Sequence, residues 1–398
     1  MSEGTIAWLL VCSALVLFMT PGLALFYGGM VRSKNVLSML MKNFFTISIV
    51  TVTWTLIGYT LAFGTDGGGI IGGLDFVGLS GLDADGLLFM TFQMMFAIIT
   101  PALITGAVAE RMKFSAWVAF TVLWSLLVYP VVAHWAFAAD GWLFALGARD
   151  FAGGLVVHIN AGIAALALVF VLGPRRGFGT EAIRPHSLPL TLLGTGILWF
   201  GWFGFNAGSA LAADGIAVGA FVTTQIAAAV AALGWVAAEW LRNGKPTTLG
   251  AASGAVAGLV AITPCAGFVS PLAAMAIGLL AGAICFWAVS LKFRFGYDDS
   301  LDVVGVHLVG GIVGSLLLGV FASTAVNPAG PDGLLAGDAG FLAIQALAVV
   351  AVMAYSFVMS YILARIIKAV MGLRVTDQAE VEGLDISLHE ERGYALTD

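Results

Sequence analysis

The sequence has few charged side chains and almost no cysteine. Asp, Glu, Lys and Arg make up 10% of its 398 residues, whereas soluble domains contain about 25%. This shortage, together with 60% hydrophobic residues, excludes an ordinary soluble enzyme. Cys12, Cys265 and Cys285 all lie in apolar stretches, which excludes a disulfide framework and a paired-cysteine zinc or redox motif. The composition instead predicts an all-α polytopic membrane protein.

Long apolar runs fill nearly the whole chain. A helix needs about 20 mostly apolar residues to cross the hydrocarbon core of a bilayer. The first run follows Met1, Ser2 and Glu3 without a basic segment and is too long for a signal-peptide core, so we expect it to be retained. The sequence predicts eleven transmembrane helices, at 5–29, 43–64, 87–109, 115–134, 151–172, 188–208, 215–240, 247–266, 271–291, 301–322 and 341–367.

Basic residues collect on one side of this arrangement. Cytoplasmic loops are enriched in Lys and Arg, and 16 of the 17 basic residues end or follow an odd-numbered helix, Arg149 being the exception. This alternation predicts an outer N-terminus and an inner C-terminus, and it supports the count of eleven. The polar stretch after Gly372 is too acidic to insert. We therefore expect a transmembrane domain at 1–372 and a cytoplasmic regulatory tail at 373–398.

Glycine is abundant in the predicted helices. Helices associate in lipid through small residues that let their backbones approach closely. We therefore expect close packing at four GxxxG spacings, Gly215/Gly219, Gly254/Gly258, Gly278/Gly282 and Gly310/Gly314.

Ionisable side chains inside the predicted helices are rare, and each is a candidate functional group. His158 and His307 lie well inside helices 5 and 10, which run in opposite directions, with Asp150 and Asp302 near the starts of those helices. This indicates an inverted repeat of helices 1–5 and 6–10 with helix 11 added, and such repeats place substrate sites at their interface. A single buried histidine is more often a core side chain than a functional group, whereas the pairing of the two favours a pore. A pair of haem ligands is a weaker alternative for His158 and His307. Both acids are expected to cap helix amides.

Two motifs that could indicate an enzyme lack the neighbouring elements or residues that such a site needs. Gly67, Gly69 and Gly72 fit a dinucleotide pattern, but no strand precedes them. His389 has no second histidine at zinc-protease spacing. We therefore expect a protein that is not an enzyme and that holds neither cofactor nor metal.

Five segments carry long and specific motifs. Residues 150–160 read DFAGGLVVHIN, 199–209 read WFGWFGFNAGS, 302–307 read DVVGVH and 109–115 read AERMKFS. Together with 382–389, they resemble the ammonium transporter family, Amt with its Mep and Rh relatives, and prokaryotic Amt most closely. The resemblance covers essentially the whole chain. It implies a homotrimer in the cell membrane, with a narrow pore through the inverted repeat of each subunit.

The resemblance also implies roles for single residues. Phe96 and Phe205 would form a stacked phenyl gate, with Phe92 above Phe96. His158 and His307 would form a twin-histidine pair that lines the pore. The residues implied for the ammonium site and its surroundings are Phe92, Phe96, Phe137, Asp150, Trp202 and Ser209.

The sequence departs from the family at Phe137. The family has a tryptophan over the outer vestibule at this place after His134, and here one extra residue precedes Gly141 and Trp142. We therefore expect that Phe137 replaces the tryptophan in the outer aromatic site or that another ring completes this site.

These observations predict an ammonium transporter or channel, with methylammonium as a substrate analogue. A bare cation in an apolar pore costs tens of kcal/mol, whereas imidazoles can both donate and accept a proton. Ammonium would thus lose a proton outside and cross as ammonia, and separate proton transfer between the histidines would make transport electrogenic. An ammonium sensor and an Rh-like electroneutral ammonia channel are the alternatives. The resemblance also implies that a PII-type signalling protein binds the cytoplasmic face.

Overall fold

The computed structural model describes residues 1–394, and within that range every regular element is helical. Ten of these helices are long and apolar enough to cross a membrane. In chain order, with the shorter α8, the helices are α1 (Glu3–Met30), α2 (Ser33–Phe63), α3 (Ala84–Ile104), α4 (Phe114–Leu146), α5 (Gly154–Leu172), α6 (Leu188–Gly208), α7 (Gly215–Asn243), α8 (Thr248–Ile262), α9 (Pro271–Phe295), α10 (Val304–Phe321) and α11 (Ala339–Met371). Two short helices follow, α12 (Asp377–Glu382) and α13 (Leu384–His389).

The helix α8 corresponds to the eighth predicted membrane segment. It has 15 residues, fewer than the roughly 20 that an average bilayer crossing needs, and turns continue the chain after Ile262. The described residues thus contain ten helices of spanning length, and the count of eleven crossings stays a prediction.

The two halves of the chain meet where α1 packs along α6. Glycines bring these helices together, since a Cβ on Gly201 would overlap Met19 and one on Gly194 would overlap the backbone of Phe26. The helix α7 packs in the same way against α8 and α9, where Gly258 and Gly282 lie against Ala231.

The four GxxxG spacings differ in what they contact. Those in α8, α9 and α10 lie against neighbouring helices, as predicted. Gly215 and Gly219, at the start of α7, have no neighbouring atom within 4 Å of a Cβ built on them. Spacing alone therefore identified three of the four contacts.

The two ends of the helical bundle differ in charge. The end that holds Arg32, Glu110, Arg175 and Asp298, which we call the basic face, contains a chain of ion pairs. Arg32 lies 2.7 Å from Glu110, and Arg175 lies 2.8 Å from Asp298. Burial of Glu110 opposes its ionisation, but Arg175 and Arg32 hold the pKa of this carboxyl below its usual value. We call the opposite end, where Asp66 lies, the acidic face.

The segment after α11 packs on the basic face. The Asp385 carboxylate accepts hydrogen bonds from the backbone N–H groups of Leu37 and Ser38, at 3.0 and 2.8 Å, near the start of α2. The N–H of Leu384 donates to the Asn35 side-chain oxygen at 2.8 Å. The predicted tail thus connects to the first helices of the chain, and its last four residues, 395–398, lie outside the described residues.

Candidate functional site

The two membrane-buried histidines meet at the centre of the bundle. Both α5 and α10 begin with π-helical turns, Gly154–Ile159 and Val304–Leu308, which carry His158 and His307. Such turns are often found at functional sites. The Nδ1 atoms of the two histidines lie 3.3 Å apart, and their ring centroids lie 5.4 Å apart at an interplanar angle of 23°. The sequence-predicted pair is therefore in direct contact.

The contact between the two Nδ1 atoms limits where protons can sit. When both rings are neutral, one Nδ1 must donate a proton to the other. One ring then carries a proton on Nε2, and the other has a free lone pair there. The Nε2 atom of His158 is buried and has no hydrogen-bond partner among residues 1–394. The pair of His158 and His307 thus has one shared proton and an open nitrogen.

Trp202 supports the His158 ring from the side. The two rings stack with their centroids 5.4 Å apart at 21°. The indole Nε1 of Trp202 donates to Thr263 Oγ1 at 2.9 Å. This hydrogen bond fixes the indole plane, and stacking on the indole then restricts the orientation of His158.

Phe96 and Phe205 lie between the histidines and the acidic face. Their rings stack at 4.2 Å and 25°, and both side chains are buried. Phe205 also approaches the ring of His158, at 6.1 Å between centroids. Phenyl rings, imidazoles and Trp202 therefore form a continuous column of aromatic groups.

A cavity of about 490 Å³ opens above Phe96 on the acidic face. Phe96, Phe137, Asp150 and Ser209 all line it, so these four predicted site residues come together. The Ser209 hydroxyl donates to the Phe205 carbonyl at 2.8 Å. Because its proton is used in that bond, Ser209 has only acceptor lone pairs to offer a molecule in the cavity.

Phe92 and Trp202, by contrast, do not line this cavity. The Phe92 side chain is fully buried. It packs edge-on against Phe96 with 5.0 Å between ring centroids. Phe92 therefore packs against the Phe96 ring on the side away from the cavity.

Sequence reasoning missed most of the other residues that line the same cavity, among them Phe89, Gln93 and Phe144. Phe89 and Gln93 lie on the same face of α3 as Phe96, seven and three residues before it, and this periodicity was available in the sequence. Phe144 supplies an aromatic ring besides Phe137. Trp142 instead packs edge-on against Trp135 at 5.5 Å.

Asp150 caps the start of α5 with both of its carboxylate oxygens. They accept hydrogen bonds from four backbone N–H groups, those of residues 153–156, at 2.6 to 3.0 Å. Burial raises the pKa of Asp150, and the four hydrogen bonds oppose that rise. The capping role expected of this residue is therefore present in the structure.

At the start of α10 the expected cap was assigned to the wrong residue. Asp302 binds the Lys292 ammonium at 2.7 Å and has a left-handed backbone, φ 64°. Asp299 accepts the N–H of Val304 at 2.7 Å instead. Asp299 precedes His307 by eight residues, which is also the spacing between Asp150 and His158. The expected inverted repeat of helices 1–5 and 6–10 would produce such a match.

The site is poor in metal ligands. Among the described residues no group of three or more His, Cys, Asp or Glu side chains is placed to hold a metal ion. Structural zinc takes four ligands and catalytic zinc takes three from the protein, and His158 and His307 supply two nitrogens that face each other.

Comparison with known proteins decides the family. The sequence model of the Ammonium Transporter Family matches residues 7–394. The chain belongs to the ammonium transporter family. An ammonium transporter of Bacillus subtilis (strain 168) is 52% identical over 404 residues, covering 99% of each chain. The ammonium transporter Amt1 of Archaeoglobus fulgidus is 48% identical over 394 residues, covering 99% of this chain and 100% of the relative.

Solved structures of the ammonium transporter family share this fold. The crystal structure of Candida albicans Mep2 superposes with a TM-score of 0.92 at 33% identity, covering 100% of this chain and 94% of Mep2. Family membership and ten spanning-length helices in residues 1–394 make the chain a multi-pass protein of the plasma membrane. Relatives in the ammonium transporter family are named as transporters, which argues against an enzyme.

Proposed function

We propose that this chain transports ammonium by capturing the cation in the acidic-face cavity, removing one proton and conducting ammonia past His158 and His307. The proton crosses separately through the two imidazoles, so transport is electrogenic. The observation that carries this proposal is the 3.3 Å contact between the two Nδ1 atoms, beneath the closed phenyl pair of Phe96 and Phe205.

The basic face is cytoplasmic in this proposal, and the N-terminus is outside. The argument is the positive-inside rule, since 16 of 17 basic residues fall on the side assigned to the cytoplasm. The cavity then opens outward, where ammonium is collected. Asp150 and Asp214 line this opening beside Arg149, whose positive charge offsets one of theirs, and the excess of acidic residues on this face attracts cations to the opening.

Capture uses aromatic faces and one acceptor oxygen. An aromatic face attracts a small cation by about 0.5–2 kcal/mol, and Phe96 and Phe137 both line the cavity. The Ser209 oxygen accepts one N–H of ammonium. Asp150 acts through its charge alone, because amides already occupy both carboxylate oxygens.

The phenyl pair then discriminates between charged and neutral species. Phe96 and Phe205 are buried and stacked, so a cation passing them must lose its water. The free energy of that desolvation is far larger than the stabilisation from one aromatic contact. Ammonium avoids the cost by giving up a proton, whereas potassium has no proton to give.

The histidine pair carries the released proton. A proton that arrives on the open Nε2 of one ring allows the shared Nδ1 proton to move to the other ring. The second ring then releases a proton from its own Nε2 toward the basic face. Ammonia passes through the apolar pore. On the cytoplasmic side it binds the released proton and becomes ammonium again.

Assembly and regulation follow from the family resemblance. We propose a homotrimer and a PII-type signalling protein bound at the basic face. The docking of residues 373–394 on that face supports the second part, because a partner there would contact both the tail and the pore exit. Native mass measurement of the purified protein tests the trimer, and co-purification with a PII protein tests the partner.

Current recorded from purified protein in liposomes tests the transport proposal. An ammonium pulse should give an inward current that follows protein density. Ammonia flux without current would support the Rh-like channel, and ammonium binding without flux would support the sensor. Either of these two results would overturn the electrogenic transport proposed here.

A further inference from the structure

The His134 ring lies between two hydrogen-bond acceptors at the acidic face. This residue of α4 is buried, with 1% of its surface exposed. Its Nδ1 atom lies 2.8 Å from the Ala62 carbonyl oxygen, and its Nε2 atom lies 2.9 Å from a carboxylate oxygen of Asp66. A carbonyl and a carboxylate can only accept. Because a neutral imidazole has a single N–H group, both contacts are hydrogen bonds only when His134 is doubly protonated.

Asp66 is held in its ionised form. The Oδ1 atom that faces His134 also accepts the backbone N–H of Gly69 at 2.6 Å. Hydrogen bonds from His134 and from this amide lower the pKa of Asp66. A protonated Asp66, which could donate to a neutral imidazole, is therefore disfavoured, and the pair consists of a carboxylate and an imidazolium.

The segments packed around His134 carry other titratable or charged groups. Among residues 1–394, Asp66 is the only one of these groups that forms a hydrogen bond or an ion pair with the His134 ring. The others are Tyr129 and Asp140 in α4, Tyr59 in α2, Asp75 in the following loop, Arg149 and Asp150 before α5, and Tyr355 in α11.

The loop after α2, residues 64–73, binds α4 on both sides of a break in that helix. We call these residues the acidic-face loop, and the break lies at 138–141. Before the break, the Trp135 indole donates to a backbone carbonyl of the loop at 2.9 Å. After it, the N–H of Trp142 donates to another carbonyl of the loop at 3.1 Å. Together with the His134 contact, these bonds fix the two parts of α4 relative to each other.

The break in α4 positions two rings of the cavity. Phe137 precedes the break and Phe144 follows it, and both line the acidic-face cavity. The turn between them packs closely on the His134 backbone. The Ala138 N–H donates to the His134 carbonyl at 3.3 Å, and a Cβ on Gly141 would lie 1.9 Å from that oxygen. A shift of His134 would therefore move the two aromatic faces relative to each other.

We propose that doubly protonated His134 is a positioning residue for ammonium capture. It holds the acidic-face loop on α4 and thereby keeps Phe137 and Phe144 in place around the cation. Histidines change charge between about pH 5 and 8. When the ring loses a proton, one of its nitrogens presents a lone pair to an acceptor, the loop is released and ammonium affinity falls. This role rests on the capture of ammonium proposed above, whereas release of the loop does not require transport.

Hydrogen exchange of the acidic-face loop tests the first part of this proposal. Exchange in residues 64–73 is measured by mass spectrometry on the full-length protein in detergent, without ammonium, at pH 6, 7 and 8. Protection, corrected for the intrinsic effect of pH on exchange, should fall about tenfold or more in wild type from pH 6 to pH 8, the effect of losing a hydrogen bond to a charged group. H134Q, whose side chain does not titrate, should show weaker protection that is independent of pH.

Three further variants separate protonation from simple loosening of the loop. D66N removes the carboxylate and should also abolish the pH dependence, so the test does not depend on the folding of H134Q. W135F removes a tether that does not titrate, and it should lower protection at every pH while the pH dependence remains. D140N removes an exposed acid from the same face and should match wild type. Size exclusion shows whether each variant is folded.

The half-saturating ammonium concentration for transport into liposomes tests the second part. From pH 6 to pH 8 it should rise about two- to fivefold more in wild type than in H134Q, the effect of weakening one aromatic contact. The maximal rate should have the same pH dependence in both proteins, because H134Q retains His158 and His307.

Three results would overturn the role of His134. They are loop protection in wild type that is independent of pH, an equal pH dependence in wild type, H134Q and D66N, and release of the loop without the rise in half-saturating concentration. Absence of transport at every pH would instead overturn the proposed function, and hydrogen exchange would still decide whether His134 holds the loop.

Discussion

Asp299 accepts a hydrogen bond from the backbone N–H of Val304 at 2.7 Å, at the start of the turn that carries His307. Asp150 does the same for the turn that carries His158. The two loops therefore hold the two histidines by the same device, from opposite ends of the bundle. They differ in one respect, since the Oδ1 atom of Asp299 is buried without a partner among the described residues.

This difference predicts an unusual pH dependence for Asp299. Burial, aided by the charge of Asp302, raises the pKa of Asp299 to about 6. Between pH 4 and pH 6 the folded protein then binds a proton that the unfolded chain has lost, so stability falls as pH rises. Relative to D299N, wild-type protein should lose about 2 kcal/mol from pH 4 to pH 7. Thermal unfolding of both proteins across this range measures it, and parallel curves would contradict the prediction.

The contribution of Glu110 to stability should depend on pH in the opposite direction. Its folded-state pKa is lowered, with Arg175 and Arg32 overcoming burial, so its contribution is present above about pH 4.5 and is lost as pH falls. E110Q should be less stable than wild type by about 2 kcal/mol at pH 7, and the gap should narrow as pH falls below about 4.5, the usual pKa of a glutamate. The exposed Glu181 provides the control, because E181Q should follow wild type at every pH. A gap that persists unchanged in acid would rule out the ion pairs as its cause.

Phe137 should set ammonium affinity through its ring. Tryptophan attracts cations most strongly among aromatic residues, and a gain of 0.5–1 kcal/mol corresponds to about two- to fivefold in affinity. F137W should lower the half-saturating ammonium concentration of the transport current by that factor, and F137L should raise it. Equal values in the three proteins would show that Phe137 does not contact the cation.

The tail should support transport through Asp385. D385A leaves the first amides of α2 without their cap, which costs about 0.5–2 kcal/mol. We expect a lower unfolding temperature and less transport at equal membrane abundance, and deletion of 377–398 should do the same. E391A, which changes an exposed tail side chain, is the control. Normal transport in both tail variants would make the tail a passive segment.

The membrane helices and the histidine pair could be predicted because both leave simple marks in sequence. Apolar runs of spanning length are visible directly, and His158 and His307 stand out as ionisable groups within them. Their direct contact depends on π-helical turns in α5 and α10, and no residue pattern predicts such turns. Family resemblance supplied the pairing that spacing alone could only suggest.

The helix cap of α10 was assigned wrongly because three acids lie within five residues, at 298, 299 and 302. Which of them reaches the helix amides depends on the path of the loop. Lys292, ten residues earlier, draws Asp302 away. The spacing of eight residues to the histidine, shared by Asp150 and Asp299, was the signal that identifies the correct acid.

The cavity walls were only partly predictable. Gln93 lies on the same helical face as Phe96 and could have been found by periodicity. Phe144 follows the interruption of α4 at 138–141, and its place depends on how the chain folds back. Tertiary packing therefore adds Phe144 to an aromatic site for which the sequence offered Phe96 and Phe137.

The double variant H158A/H307A tests the central claim most directly. Reconstituted at the same density as wild type, both proteins receive ammonium and potassium pulses while current and internal pH are recorded. Proton transfer through the imidazole pair predicts an ammonium current in wild type, none with potassium, and loss of the ammonium current in the double variant. A double variant whose ammonium uptake stays fully electrogenic and selective over potassium would contradict the account.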